Sequence, residues 1–192
     1  MNSALPADLD RIIHDLAANE AAVLKVSDGL AEDELNRQPA GGRAWGILQC
    51  VEHVTMTNRV YTGAMQSVIA SGGTAFPPRS GPLQPSLPGR LFLKRPEPPV
   101  RGKAPAPRAI RPAAHLSKAE VLGTFQRSHD AIREIVLAVR DLDLNRLRFR
   151  NPLLPALRVR FGTALLIMAA HERRHLWQAR NVRTGLSGST AK

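Results

Sequence analysis

The chain has 192 residues, 43% hydrophobic and 22% charged, which fits one domain long enough to bury a core. Aromatic residues make up only 4%, so that core must be aliphatic, and the lone Cys50 excludes an internal disulfide and fits a reducing cytoplasm. The net charge of +11 points first to nucleic acid, yet eight basic residues and the single acid Glu97 lie between Phe76 and Ala114, so seven of those charges belong to one segment.

In chain order, Leu9, Ile12, Ile13, Leu16, Val23 and Leu24 recur at helical spacing and predict a first helix over about 6–29, with Pro6 in its first turn. A second apolar helix runs from Ala44 to about Ser71 and stops at Gly72-Gly73. Residues 73–116 follow, with eleven of the fifteen prolines and no periodicity, and are expected to be an irregular basic insertion. Ser117-Lys118-Ala119-Glu120 reads as a capping box opening a third helix to about Arg140. A connection over 141–159 contains Pro152 and Pro155, and a fourth helix spans about Arg160 to Arg183. Nothing reads as alternating strands.

The pattern predicts an all-α four-helix bundle over 1–185, with a flexible tail at 186–192. A long link between helices two and three is what parallel neighbours require, because the chain must return the full helix length. The N-terminal MNSALPADLDRIIHDL has early acids and no apolar run, so no signal peptide is expected. The apolar window at 161–170 is too short to span a bilayer.

His171-Glu172-Arg173-Arg174-His175 matches H-E-x-x-H, the zinc helix of metalloproteases. Histidines four apart share a helix face, and the stripe of Phe161, Ala164, Leu165, Met168, His175, Ala179 and Val182 points that face inward, with His171 at its margin. The protease reading fails downstream. No His, Asp or Glu follows His175, and Gln178 and Asn181 stand where the extended motif needs Gly and His. Glu172 projects about 100° away from His171, so its place between the histidines is incidental to that reading.

A third ligand must come from upstream. His14 sits among polar positions, His115 lies in a loop, and His129 shares a face with Phe125, Ile132 and Val136 as a hydrogen-bonded core histidine would. His53 follows Trp45 by two turns, behind the loop Gln38-Pro39-Ala40-Gly41-Gly42-Arg43. Trp45 with His53, followed on the fourth helix by His171, His175 and Gln178 as H-x-x-x-H-x-x-Q, resembles the DinB-like (YfiT-like) four-helix-bundle superfamily in order and spacing. Gly46 replaces the usual Ser or Thr after the tryptophan, which removes a helix-capping hydroxyl.

The resemblance implies a three-histidine site for Zn, Ni or Fe made by His53, His171 and His175, with open positions for water or substrate. Gln178, Trp45, Glu52 and His129 are expected as supporting or substrate-facing residues. It also implies a small-molecule substrate, a homodimer and, from related thiol-dependent enzymes, transfer of a low-molecular-weight thiol. Metal-dependent hydrolysis of an amide or ester is the alternative enzyme class. A third reading is a non-enzymatic protein that uses the basic loop to hold a partner or nucleic acid. Against it stand the absence of helix-turn-helix or zinc-finger spacing and one aromatic, Phe92, in that loop.

Overall fold

The computed structural model describes residues 4–72, 76–86, 89–90, 93 and 105–189. Much of the basic segment, with Lys94, Arg95, Arg101, Lys103 and the acid Glu97, lies outside the described residues. Four long helices carry the fold: α1 (Ala7–Ser27), α3 (Ile47–Gly72), α4 (Lys118–Ala138) and α5 (Phe161–Ser189). A one-turn helix α2 (Glu32–Asn36) bridges α1 and α3, and a 3₁₀ turn covers Arg108–Ile110. The fold is all-α, as the periodicity predicts, with boundaries that differ by a few residues. Helix α5 runs on to Ser189, taking in the start of the segment expected as a tail.

Two apolar clusters fix the direction of each helix. One joins Leu9, Ile12 and Leu16 of α1 with Tyr61 and Met65 of α3, Ile132 to Val139, and Phe161 to Met168. The other joins Val23 and Val26 with Ile47 to Val54, Val121, Phe125, Leu176 and Ala179. Helices α1 and α5 therefore run one way and α3 and α4 the other. The parallel pair α3 and α4 explains the long link: α3 has 26 residues, roughly 39 Å of rise to be recovered. The link is not wholly irregular. Its first described part pairs with the 141–143 segment through a bridge of Pro78 to Leu142 and a bond from the Arg79 N–H to the Asp141 carbonyl. Arg79 also reaches both carboxylate oxygens of Asp8 at 2.6 Å.

The connection after α4 contains two strands that the sequence pattern does not reveal, β1 (Arg148–Arg150) and β2 (Arg158–Arg160). They pair antiparallel with Phe149 opposite Val159. Three residues are too few to show a period. The hairpin is held by Phe149, buried against Tyr61 and Phe161 at ring distances of 6.4 and 5.8 Å.

Two caps differ from expectation. Ser117 is the N-cap of α4, but its hydroxyl makes no capping bond; Glu32 of α2 accepts from the Lys118 N–H at 2.7 Å instead. At the start of α3, Gln49 Oε1 reaches back to accept from the Gly46 N–H at 3.0 Å, one half of a capping box, while Gly46 has no hydroxyl to supply the other half. A Cβ on Gly46 would sit 2.9–3.0 Å from the carbonyl oxygens of Leu35, Asn36 and Arg37. Restoring the hydroxyl should therefore harm the fold. Gly46→Ser is expected to destabilise by about 1–3 kcal/mol in urea unfolding.

Candidate metal centre

The second apolar cluster surrounds the N-terminal turns of α3 and the C-terminal half of α5, and the three histidines converge there. The preceding loop turns sharply, with Ala40, Gly41 and Gly42 at φ of 56°, 62° and 82°. It delivers Trp45 onto the site, 4.6 Å from His53 and 5.8 Å from His175 between ring centroids. His53 is 3% exposed and His175 7%. The rings of His53, His171 and His175 lie 4.5–5.0 Å apart. One nitrogen from each falls within 4.8 Å of the others.

The tautomer of His53 follows from its partner. A carbonyl can only accept, so Nδ1 carries the proton it donates to the Ile110 carbonyl at 2.7 Å. The Nε2 lone pair is thereby turned inward, 3.2 Å from His171 Nε2. This is the usual way a protein orients a metal-binding imidazole. The bond also gives the end of the basic link a task, because Ile110 belongs to it. Gln49 holds the same strap through the Ala113 carbonyl at 2.9 Å, and Asn36 exchanges bonds with Leu116 in both directions.

Burial lowers the pKa of His53, and the same desolvation takes His171 down to about 3. His175 falls well below 6.5 from burial, then from the neighbouring imidazoles and Arg174. All three are neutral at pH 7. The donor set fits a transition-metal ion. The 3.2 Å separation of His53 and His171 nitrogens is close to the roughly 3.3 Å between donors of a tetrahedral ion with Zn–N near 2.0–2.1 Å. Nδ1 of His171 and of His175 are buried without a hydrogen-bond partner among the described residues.

These depressed values set a pH dependence for the metal-free protein. Each imidazole binds protons more readily unfolded, so the triad's contribution is complete above pH 6.5 and is lost as pH falls toward 3. Urea midpoints of metal-free protein should drop across that window. His171→Asn should flatten the slope; an unchanged slope would show that His171 does not contribute.

Other expected residues fall in different places. Gln178 reaches the His175 ring with its side chain, so Gln178 and Trp45 both adjoin the triad. Glu52 does not. It is half-buried toward Arg59 and Glu120, its carboxyl pKa raised by burial despite the arginine. His129 is also apart, fully buried beside Phe125 with Nδ1 2.9 Å from Glu20 Oε1. His14 is exposed near Asp10, and His115 is exposed in its loop.

Glu172 is no surface bystander. It is 0% exposed and accepts from Asn19 at 2.6 Å and Asn58 at 2.7 Å. His129 Nε2 lies 3.2 Å from it, an ion-pair distance without hydrogen-bond alignment. Asn19, Asn58, His129 and Glu172 thus supply one polar group from each long helix, between the two apolar clusters. Sequence reasoning also missed Arg174. It is half-buried one turn beyond His171, and its charge bears on all three imidazoles. The i to i+3 spacing was the signal that could have found it. No sequence signal marks the Ile110 carbonyl.

The fold and site define a class: a four-helix bundle with a three-histidine cluster on its second and last long helices that could hold a metal ion. The chain belongs to the DinB superfamily, whose family model matches residues 15–179, a span that contains the whole cluster. No curated protein and no solved structure matches the chain. No described helix is long and apolar enough to cross a membrane.

Proposed function

We propose that this protein is a metal-dependent enzyme of the thiol-transfer type, with His53, His171 and His175 as the ligands. The observation that carries the metal reading is the convergence of three neutral, inward-turned imidazoles with no carboxylate among them. A divalent cation held by neutral ligands keeps its full charge, and the Lewis acidity it supplies acidifies a thiol or polarises a carbonyl.

The chain's own residues prepare that site. The Ile110 carbonyl orients His53, Trp45 covers one side of the triad, and Gln178 steadies His175. Burial pushes the Cys50 thiol far up, and its side chain is 1% exposed, so it offers no thiolate of its own. A reacting thiol therefore has to enter from solution, which favours a low-molecular-weight thiol as co-substrate.

The test is turnover by zinc-, nickel- or iron-loaded protein of a thiol such as cysteine with an aryl halide, followed as thioether formation. Metal-dependent, His53-dependent turnover is expected. Cleavage of p-nitrophenyl esters or anilides with no thioether formation would replace this reading with the hydrolase.

A further inference from the structure

His171, Arg174, His175, Gln178, Asn181, Val182 and Gly185 follow one another at intervals of one or three, so they form a continuous stripe along α5. The stripe leaves the triad and enters a half-open cleft of about 400 Å³. Its walls are Arg37, Pro39 and Ala44 on one side and Gln178, Val182 and Leu186 on the other. Gln178 belongs to both places, reaching His175 and lining the cleft. Ala44 precedes Trp45, which covers the triad. The cleft is of the size that holds small molecules.

Arg174 lies on this stripe one turn before Gln178, beside the triad rather than in the wall of the cleft. It is half-buried and forms no ion pair among the described residues, although its charge reaches all three imidazoles. A partly desolvated guanidinium next to a site for a divalent cation is repelled by that cation. An anion placed between them reverses the sign of the interaction, and guanidinium is suited to a planar, two-oxygen anion. Arg37, at the cleft's exposed lip, is also without an ion pair among the described residues.

We propose that the centre takes a small organic anion, its carboxylate-like group held by Arg174 beside the triad and its apolar body in the cleft along Pro39, Ala44, Val182 and Leu186. This deepens the metal-enzyme reading and rests on it for the position of the reacting group. Arg174 acts here as a substrate-binding residue. The cleft sets a preference for an amphipathic molecule over a wholly polar one.

The test is calorimetric titration of the zinc-loaded protein with octanoate and with uncharged octanamide, alongside the zinc content of each sample. Octanoate should bind at least about tenfold more tightly than octanamide, and Arg174→Gln should remove that preference, as loss of a charge-assisted bond does. Arg174→Lys should retain part of it, which guards against simple misfolding. Val182→Arg should weaken both ligands, and helix content by circular dichroism should stay unchanged. Equal binding of the two ligands, or octanoate binding indifferent to Arg174→Gln, overturns the proposal while bound zinc leaves the metal reading standing. Arg174-dependent octanoate binding in a protein that takes no zinc would sustain the cleft and overturn the metal reading alone.

Discussion

Protein purified without chelator and offered Zn²⁺ or Ni²⁺ should bind about one equivalent, and His53→Ala should bind less than about a tenth of that under the same conditions. The effect is expected to be large because the triad has no spare donor. Among the described residues, no fourth His, Cys, Asp or Glu joins the three nitrogens. Removing an orienting partner of a ligand typically weakens metal binding about 10- to 100-fold, and removing a ligand should cost more. His53→Ala also leaves the Ile110 carbonyl without its donor, so helix content must be followed in parallel. His171→Ala is the cleaner companion, since its Nδ1 has no partner to strand. His115→Ala, on an exposed loop histidine, should bind metal like the wild type. Less than a tenth of an equivalent in the wild type would make the three imidazoles polar core residues and remove the metalloenzyme reading.

The same residues show how far the amino-acid sequence alone specifies the site. Helix order, the parallel pair behind the long link, and the convergence of His53 with His171 and His175 follow from periodicity, link length and a short family motif. Those signals are local or topological, and a four-residue interval on a helix is a geometric statement. The features that escape sequence reasoning have a different origin. The Ile110 carbonyl that orients His53 is a backbone atom 57 residues away, and any residue could present it. The three-residue strands depend on Phe149 finding Tyr61 and Phe161. Gly46 reads as a lost cap in the sequence and is instead a point where the α2 carbonyls leave no room for a side chain. Glu172 reads as incidental because helix spacing shows that it points away from the triad but not what it points toward.

What Glu172 points toward is the basis for the largest expected loss of stability. Glu172→Ala should destabilise the protein by about 3–5 kcal/mol in urea unfolding, because it strands buried partners rather than merely deleting a contact. The Asn19 and Asn58 amides lose their acceptor, and His129 loses one of its two facing carboxylates. Glu172→Gln keeps the shape and should cost less, since one amide face still accepts. Its pH profile separates charge from packing. Burial pushes His129 toward neutrality, but the carboxylates of Glu172 and Glu20 outweigh it, and the imidazole's pKa ends above 6.5. A group raised on folding stabilises fully below its unfolded value and loses that contribution as pH rises through the folded one. The deficit of Glu172→Gln relative to wild type should therefore shrink as pH rises above 6.5. A deficit constant with pH would assign Glu172 a packing role alone. Zinc stoichiometry should remain about one in this variant, because Glu172 and His171 are consecutive on α5 and so project about 100° apart. The polar layer holds the four helices in register, and the triad is built on a different face of the same helix.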